Sequence, residues 1–120
     1  MHEVGIANSI LEAARSEMAR YPGVRPLRIT VRIGELAAVD PEALQFCFSA
    51  LTQDTELAAL ELEIDECPRK HRCPTCGAEF VVVDYDVRCN RCGEERTQFI
   101  SGDELELASL EMEEYEPSTA

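Results

Sequence analysis

Apolar residues recur at helical spacing in two parts of the chain. Between positions 4 and 20 they fall on one side of a predicted helix, and charged or polar residues take the other side. This first apolar stripe consists of Val4, Ala7, Ile10, Leu11, Ala14 and Met18. Tyr21-Pro22-Gly23 ends the helix, because proline cannot continue the hydrogen-bond ladder and glycine accepts a turn. A second helix is predicted to begin at Asp40-Pro41-Glu42, with a carboxylate at the N-cap and proline at the first helical position. Its buried stripe is Leu44, Cys47, Phe48 and Leu51.

Apolar and polar residues alternate in three other stretches, which is typical of strands with one buried face. The stretches are PLRITVRI, ending at Gly34, LELEID, from Leu60 to Asp65, and DELELASLEM, from Asp103 to Met112. In the last one the apolar phase slips between Leu107 and Leu110, which is compatible with a β-bulge. The order helix, strand, helix, strand, cysteine segment, strand predicts an α/β (α+β) fold, with two helices on one face of a three-stranded mixed sheet. The second helix would cross between parallel strands, and the cysteine segment would be inserted between two neighbouring antiparallel strands.

Four of the six cysteines form a C-x2-C-x12-C-x2-C pattern, made of Cys73, Cys76, Cys89 and Cys92. Two residues between cysteines let a tight turn aim both sulfurs at one point, and the glycine after each pair relieves the backbone there. Four thiolates form the tetrahedral shell that structural zinc accepts, with no position left for a reacting water. The sequence therefore predicts a structural zinc site, with redox dithiols or disulfides as the alternative. The linking segment EFVVVDYDVR is predicted to form a small hairpin turning at Asp84-Tyr85-Asp86. Of the other two cysteines, Cys47 is interpreted as a helix core residue and Cys67 as a spare thiol.

Charge is distributed unevenly along the 120 residues. Residues 69–96 contain six basic and five acidic side chains, a balance of +1, whereas the rest has five basic against nineteen acidic, or −14. An acidic surface of that size repels phosphate backbones, so we expect no nucleic-acid partner. The sequence shows neither an apolar run of membrane-spanning length nor a signal peptide, and we expect a cytoplasmic protein without a membrane partner.

The chain begins Met-His-Glu, and these three residues form a candidate second metal site. The simpler interpretation is that His2 is a solvated residue near the chain terminus with no role in metal binding. However, the Met1 amine, the His2 amide nitrogen and the His2 imidazole can chelate one ion through adjacent rings, and nickel(II) and copper(II) prefer such nitrogen donors. The dipole of the following helix disfavours a cation there, so anionic ligands are needed, and Glu3 can supply one.

The combination of MHE, VRIGELAAVDPEALQFCF, two CxxCG knuckles and SGDELELASLEMEE resembles the HypA/HybF family of hydrogenase nickel-incorporation proteins, from Met1 to about Glu114. The resemblance implies a metallochaperone that carries Ni(II) as transient cargo at Met1, His2 and Glu3 and holds Zn(II) at the four cysteines. It implies a nickel-binding α/β domain made of residues 1–67 and 98–120 and a zinc-ribbon domain of residues 68–97. The implied partners are a nickel-handling GTPase and the precursor of the [NiFe]-hydrogenase large subunit, and the expected oligomeric state is a monomer or weak homodimer. The chain departs from the family pattern at Val4-Gly5-Ile6, where glycine weakens the first helical turn.

Other polar residues near these sites have simpler interpretations. We expect Asp40 and Glu42 to cap the second helix, with Asp40 as an alternative outer nickel ligand. We expect His71 to be a surface residue, the alternative being a group that orients a cysteine or responds to pH. The rival function is a zinc-ribbon adaptor or regulatory protein without nickel transfer. An enzyme is disfavoured, since HExxH, nucleophile-elbow and phosphate-loop motifs are missing from the sequence.

Overall fold

The structure, a computed structural model, describes residues 2–114. The first helix, α1, runs over His2–Arg20, and the second, α2, over Pro41–Thr52. The strands are β1 Val24–Gly34, β2 Glu61–Cys67, β3 Lys70–Arg72, β4 Glu79–Val81, β5 Gln98–Ser101 and β6 Leu105–Glu114, and a 3-10 turn at Glu35–Ala37 follows β1. The described residues divide into two compact units, one made of 2–31, 39–65 and 106–114 and the other of 32–38 and 66–105. We call the second one the ribbon unit. The domain boundaries predicted at 67 and 98 stay a prediction.

Both helices contribute the expected apolar side to the core of the first unit. Ala7, Ile10, Leu11 and Ala14 are buried in α1, and Leu44 and Phe48 are buried in α2, whereas Cys47 and Leu51 are only half-buried. The two helices contact each other. Ile29 and Val31 of β1 and Leu62 of β2 are also buried, which confirms the predicted alternation at these positions. Leu27, expected on the same face as Ile29, is instead 40% exposed.

Strand β1 lies between β2 and β6 in the larger sheet, so the order is β2-β1-β6. The prediction that the strands flanking the cysteine segment are neighbours is therefore wrong. This order keeps Glu61 and Glu63 of β2 apart from Glu111 of β6, and like charges on paired strands are destabilising. With β1 between them, the Arg28 guanidinium lies 3.5, 3.6 and 3.8 Å from the carboxylates of these three residues. A central cationic strand thus separates two acidic strands.

The ribbon unit contains a second, antiparallel sheet with the order β4-β3-β5. His71 of β3 lies opposite Phe80 of β4 and Phe99 of β5, and the β3–β5 register shifts between Lys70 and His71. The sequence analysis predicts neither β3 nor β5, whereas β4 lies in the first arm of the predicted hairpin. The predicted hairpin turn is confirmed, since Val83 and Asp86 form an isolated antiparallel bridge around Asp84 and Tyr85. Both central residues have positive φ, 52° and 62°, as in the two-residue turns that match strand twist.

Two glycines bring backbone segments of the ribbon unit into close contact. The Gly34 N–H donates to the Glu104 carbonyl at 2.7 Å, and the Leu36 N–H donates to the Gly102 carbonyl at 2.7 Å. A Cβ atom on Gly34 would lie 2.2 Å from the Gly102 carbonyl carbon and oxygen. Glycine is therefore required at position 34 because of this close approach.

Candidate metal centres

The four predicted zinc ligands come together in the ribbon unit. The Sγ atoms of Cys73, Cys76, Cys89 and Cys92 all lie within 4.8 Å of one another. Two of the pairs that link one knuckle to the other are 3.5 Å apart, for Cys73–Cys92, and 3.6 Å apart, for Cys76–Cys89. A zinc ion with four sulfurs at about 2.3 Å places those sulfurs about 3.8 Å apart. The donor set and its spacing therefore fit a four-thiolate zinc ion.

The two knuckles repeat the same local hydrogen bonds sixteen residues apart. In the first, the Gly77 N–H donates to the Cys73 carbonyl at 2.8 Å and the Cys76 N–H donates to the Cys73 sulfur at 3.4 Å. In the second, the Gly93 N–H donates to the Cys89 carbonyl at 3.0 Å and the Cys92 N–H donates to the Cys89 sulfur at 3.4 Å. Gly77 and Gly93 have φ of 76° and 81°, which is why the sequence has glycine after each cysteine pair.

The amides of the knuckles stabilise thiolates. The N–H groups of Cys92 and Arg91 lower the pKa of Cys89 to about 6, against the effect of burial. Likewise the Cys76 N–H lowers the pKa of Cys73. For Cys92 the Glu94 N–H acts to lower the pKa, but the Cys73 sulfur, burial and the other two sulfurs outweigh it and raise the pKa to about 12. Four sulfurs this close therefore become four thiolates only when a cation offsets their mutual repulsion.

Burial divides the ligands into an inner and an outer pair. Cys73 and Cys89 are buried in a small core with Phe80 and Val82, whereas Cys76 and Cys92 are exposed. Cys76 and Cys92 are therefore the two thiols of the cluster that solvent reaches.

Several basic residues around the cluster are engaged by neighbours within the ribbon unit. The Arg72 guanidinium lies 2.9 Å from the Glu79 carboxylate, and Arg88 contacts both Asp86 oxygens at 3.0 Å. The Asp86 pKa falls to about 2 because the Arg88 side chain and N–H donate to its carboxylate.

His71 is buried, at 5% exposure, so its interpretation as a surface residue is wrong. Its ring lies against Phe80 and Phe99, with centroids 6.3 and 6.0 Å away. The Arg69 Nε–H donates to its Nε2 at 3.0 Å, and its Nδ1 lies 2.9 Å from the Thr97 hydroxyl. Since that hydroxyl donates to the Val87 carbonyl, it accepts from Nδ1–H, and the ring is neutral. Burial first, and the Arg69 charge second, lower the His71 pKa.

The N-terminal candidates lie at the start of α1. The His2 side chain is 59% exposed and its Nε2 lies 3.7 Å from a Glu3 carboxylate oxygen, whereas the Glu3 side chain is 17% exposed. The same Glu3 oxygen accepts from the backbone N–H of Asp40 at 3.4 Å. Met1, the third predicted nickel ligand, lies outside the described residues. The structure thus places the His2 and Glu3 side chains close together and connects Glu3 to Asp40, the residue before α2.

Asp40 is the N-cap of α2, as predicted. Its Oδ1 accepts from the Glu42 and Ala43 N–H groups at 3.0 and 3.4 Å. The positive ends of both helices therefore meet near the Glu3 carboxylate, which opposes their partial charge. The sequence analysis considers Asp40 near the N-terminus only as an outer nickel ligand, whereas the structure joins Asp40 to Glu3 through the Asp40 backbone N–H.

In the part of the chain that the structure describes, neither helix is long and apolar enough to cross a membrane.

Comparisons with known proteins agree on one family. Residues 1–112 match the family model described as hydrogenase/urease nickel incorporation, metallochaperone, hypA. The hydrogenase maturation factor HypA of Desulfosudis oleivorans is 40% identical over 117 residues, covering 95% of this chain and 100% of that protein. HypA of Geobacter metallireducens is 39% identical over 113 residues, covering 94% of this chain and all of that protein.

Two solved structures share the fold. The solution structure of the Ni metallochaperone HypA from Helicobacter pylori has a TM-score of 0.61 at 24% identity, covering 93% of this chain and 97% of that one. A second HypA solution structure has a TM-score of 0.65 at 24% identity, covering 93% of this chain and 96% of that one. The four-cysteine cluster, the fold and the match over nearly the whole sequence lead to one conclusion: the chain belongs to the HypA family of hydrogenase and urease nickel-incorporation metallochaperones.

Proposed function

We propose that this protein delivers nickel during the maturation of [NiFe]-hydrogenase, as a carrier and not as an enzyme. The observation that carries the proposal is the match of residues 1–112 to the nickel-incorporation family model. The cargo ion would bind at Met1, His2 and Glu3, in a nickel-binding domain made of residues 1–67 and 98–120. Residues 68–97 would form the zinc-ribbon domain, in which Cys73, Cys76, Cys89 and Cys92 hold Zn(II).

The start of α1 offers suitable chemistry for a transient ion. The His2 N–H is among the first N–H groups of the helix, which have no intrahelical acceptor, so losing its proton to a metal breaks no helical hydrogen bond. The imidazole is exposed, and Glu3 supplies the negative charge that a cation needs beside two helix N-termini. An exposed imidazole and a tethered carboxylate allow an ion to be received and passed on.

Zinc would stabilise the ribbon unit and take no part in chemistry. Four cysteines fill its coordination shell, and the core around Cys73 and Cys89 contains only a few apolar side chains. A segment of this size gains much of its folding free energy from the metal. We propose that the protein acts in the cytoplasm as a monomer or weak homodimer. Its partners would be a nickel-handling GTPase and the hydrogenase large-subunit precursor.

Calorimetric titration of the zinc-loaded protein with nickel tests the N-terminal site. The native chain should bind about one nickel ion, whereas His2→Ala and a version with extra residues before Met1 should lose that binding. Asn8→Ala, an exposed substitution further along α1, is the matched control and should bind as the native chain does. Equal nickel binding by all four proteins would contradict the site, and the zinc-ribbon adaptor would then be the better interpretation.

A further inference from the structure

One side-chain hydrogen bond joins the two zinc knuckles directly. The Thr75 hydroxyl, in the first knuckle, donates to the Glu94 carboxylate at 2.9 Å, just after the second. The other Glu94 oxygen accepts from the Arg96 N–H at 3.2 Å, so the carboxylate is fixed from two sides. The acceptor on Glu94 is a side-chain carboxylate. The bond therefore ends on a charged acceptor and is stronger than one between neutral groups.

The two knuckles are similar in sequence, but only one of the two equivalent side-chain pairs can form this hydrogen bond. Sixteen residues after Thr75 the second knuckle has Arg91, and sixteen residues before Glu94 the first knuckle has Ala78. Alanine has no polar side-chain atom, so the equivalent bond on the opposite side cannot form. The backbone roles of the two positions are nevertheless alike, because the Cys73 N–H donates to the Ala78 carbonyl and the Cys89 N–H to the Glu94 carbonyl, both at 2.9 Å. The second knuckle is thus closed by its backbone hydrogen bonds, and the Glu94 side chain adds a contact to the first knuckle.

The link lies at the exposed side of the cluster. Thr75 precedes the exposed ligand Cys76, and Glu94 follows the exposed ligand Cys92 by two residues. Each knuckle contributes two sulfurs, and sulfur contacts of 3.5 and 3.6 Å run between the knuckles. Separating the knuckles is therefore the movement that opens the metal shell, and the Thr75–Glu94 bond opposes it.

We propose that Thr75 and Glu94 are positioning residues that hold the two knuckles together and set the rate of zinc release. This inference rests on the zinc assignment in the proposed function. The pair acts through the ligands Cys76 and Cys92 and does not touch the ion. Breaking the bond should leave all four thiolates in place but let the outer pair separate more often.

The test measures zinc release from the full-length, zinc-loaded chain to the chromogenic chelator 4-(2-pyridylazo)resorcinol. Two variants remove the bond and should each speed zinc release about three- to tenfold. Thr75→Val keeps the shape of the side chain, and Glu94→Ala introduces the alanine found at the equivalent position, 78, of the first knuckle. The double variant should release zinc no faster than the faster single variant, since both changes remove the same bond. Thr75→Ser retains a hydroxyl and should release zinc at nearly the native rate.

Two controls separate a positioning role from general weakening. Glu79→Gln removes a carboxylate that joins β3 to β4 through Arg72, away from the gap between knuckles, and should not change zinc release. The cobalt-substituted variants should keep the absorption spectrum of a four-thiolate site. Native-like release from Thr75→Val, or fully additive single changes, would overturn the positioning role alone. A native chain that takes up no zinc would overturn the zinc assignment itself.

Discussion

Replacing Gly34 with alanine should destabilise the ribbon unit strongly. The new Cβ would lie 2.2 Å from the Gly102 carbonyl carbon and oxygen and 2.5 Å from the Asp103 nitrogen, whereas ordinary contact begins at 3.4 Å. The neighbours are backbone atoms, so the strand end must move by roughly 1 Å, which costs about 1–3 kcal/mol as overpacking. The same movement strains two hydrogen bonds of 2.7 Å, from Gly34 to Glu104 and from Leu36 to Gly102, each worth about 1 kcal/mol net.

The expected loss for Gly34→Ala is therefore about 3 kcal/mol, a large part of the roughly 5–15 kcal/mol that stabilises a domain. Thermal unfolding followed by circular dichroism should show Tm lowered by about 10 °C, with zinc content checked beforehand. Gly5→Ala is the matched control, because a Cβ at that exposed helical position meets no atom within 4 Å. It should stabilise α1 by up to about 1 kcal/mol. A Gly34→Ala protein that unfolds at the native temperature would refute the close backbone approach.

Two further predictions follow from single contacts. Asp40→Ala removes the side-chain acceptor of the Glu42 and Ala43 N–H groups and should lower the free energy of unfolding by about 1 kcal/mol, measured by urea denaturation. Asp40→Asn keeps a side-chain oxygen and should retain most of that stability. An unchanged urea midpoint for Asp40→Ala would contradict the capping role. An NMR titration of His71 in the zinc-loaded protein should give a midpoint below 6.5, because burial and Arg69 disfavour the imidazolium. As the pH falls, His71 is protonated in the unfolded chain before it is protonated in the folded one. The stability that His71 contributes is therefore fully present above pH 6.5 and is lost as the pH falls toward the folded-state pKa. A midpoint at or above 6.5 would contradict the neutral, buried ring.

Local patterns in the sequence were sufficient for the helices, the longer strands and the cysteine cluster. The stripe containing Ile10 and Leu11, the cap at Asp40 and the C-x2-C spacing each depend on residues within one or two turns of one another. Such patterns act through neighbours in the chain, so the sequence records them directly.

The short strands of the ribbon unit show no comparable local pattern in the sequence. β3 and β4 have three residues each, too few to show a period, and β5 has four with a register shift beside it. Since no pattern in the sequence predicts β3, the sequence also does not predict that His71 lies between Phe80 and Phe99 and is buried there. Burial of one polar ring depended on two strand pairings that no local pattern indicates.

The sequence by itself determined the element types, the four-thiolate zinc chemistry and the resemblance that pointed to the HypA family. Only the tertiary structure decided that β1 separates β2 from β6, that Glu3 contacts the start of α2, and that Thr75 contacts Glu94. Each of these contacts joins segments separated in the chain. Whether such a contact forms depends on the entropy of closing the loop between the two segments and on the charges and packing around them in the fold. A short stretch of residues determines none of these.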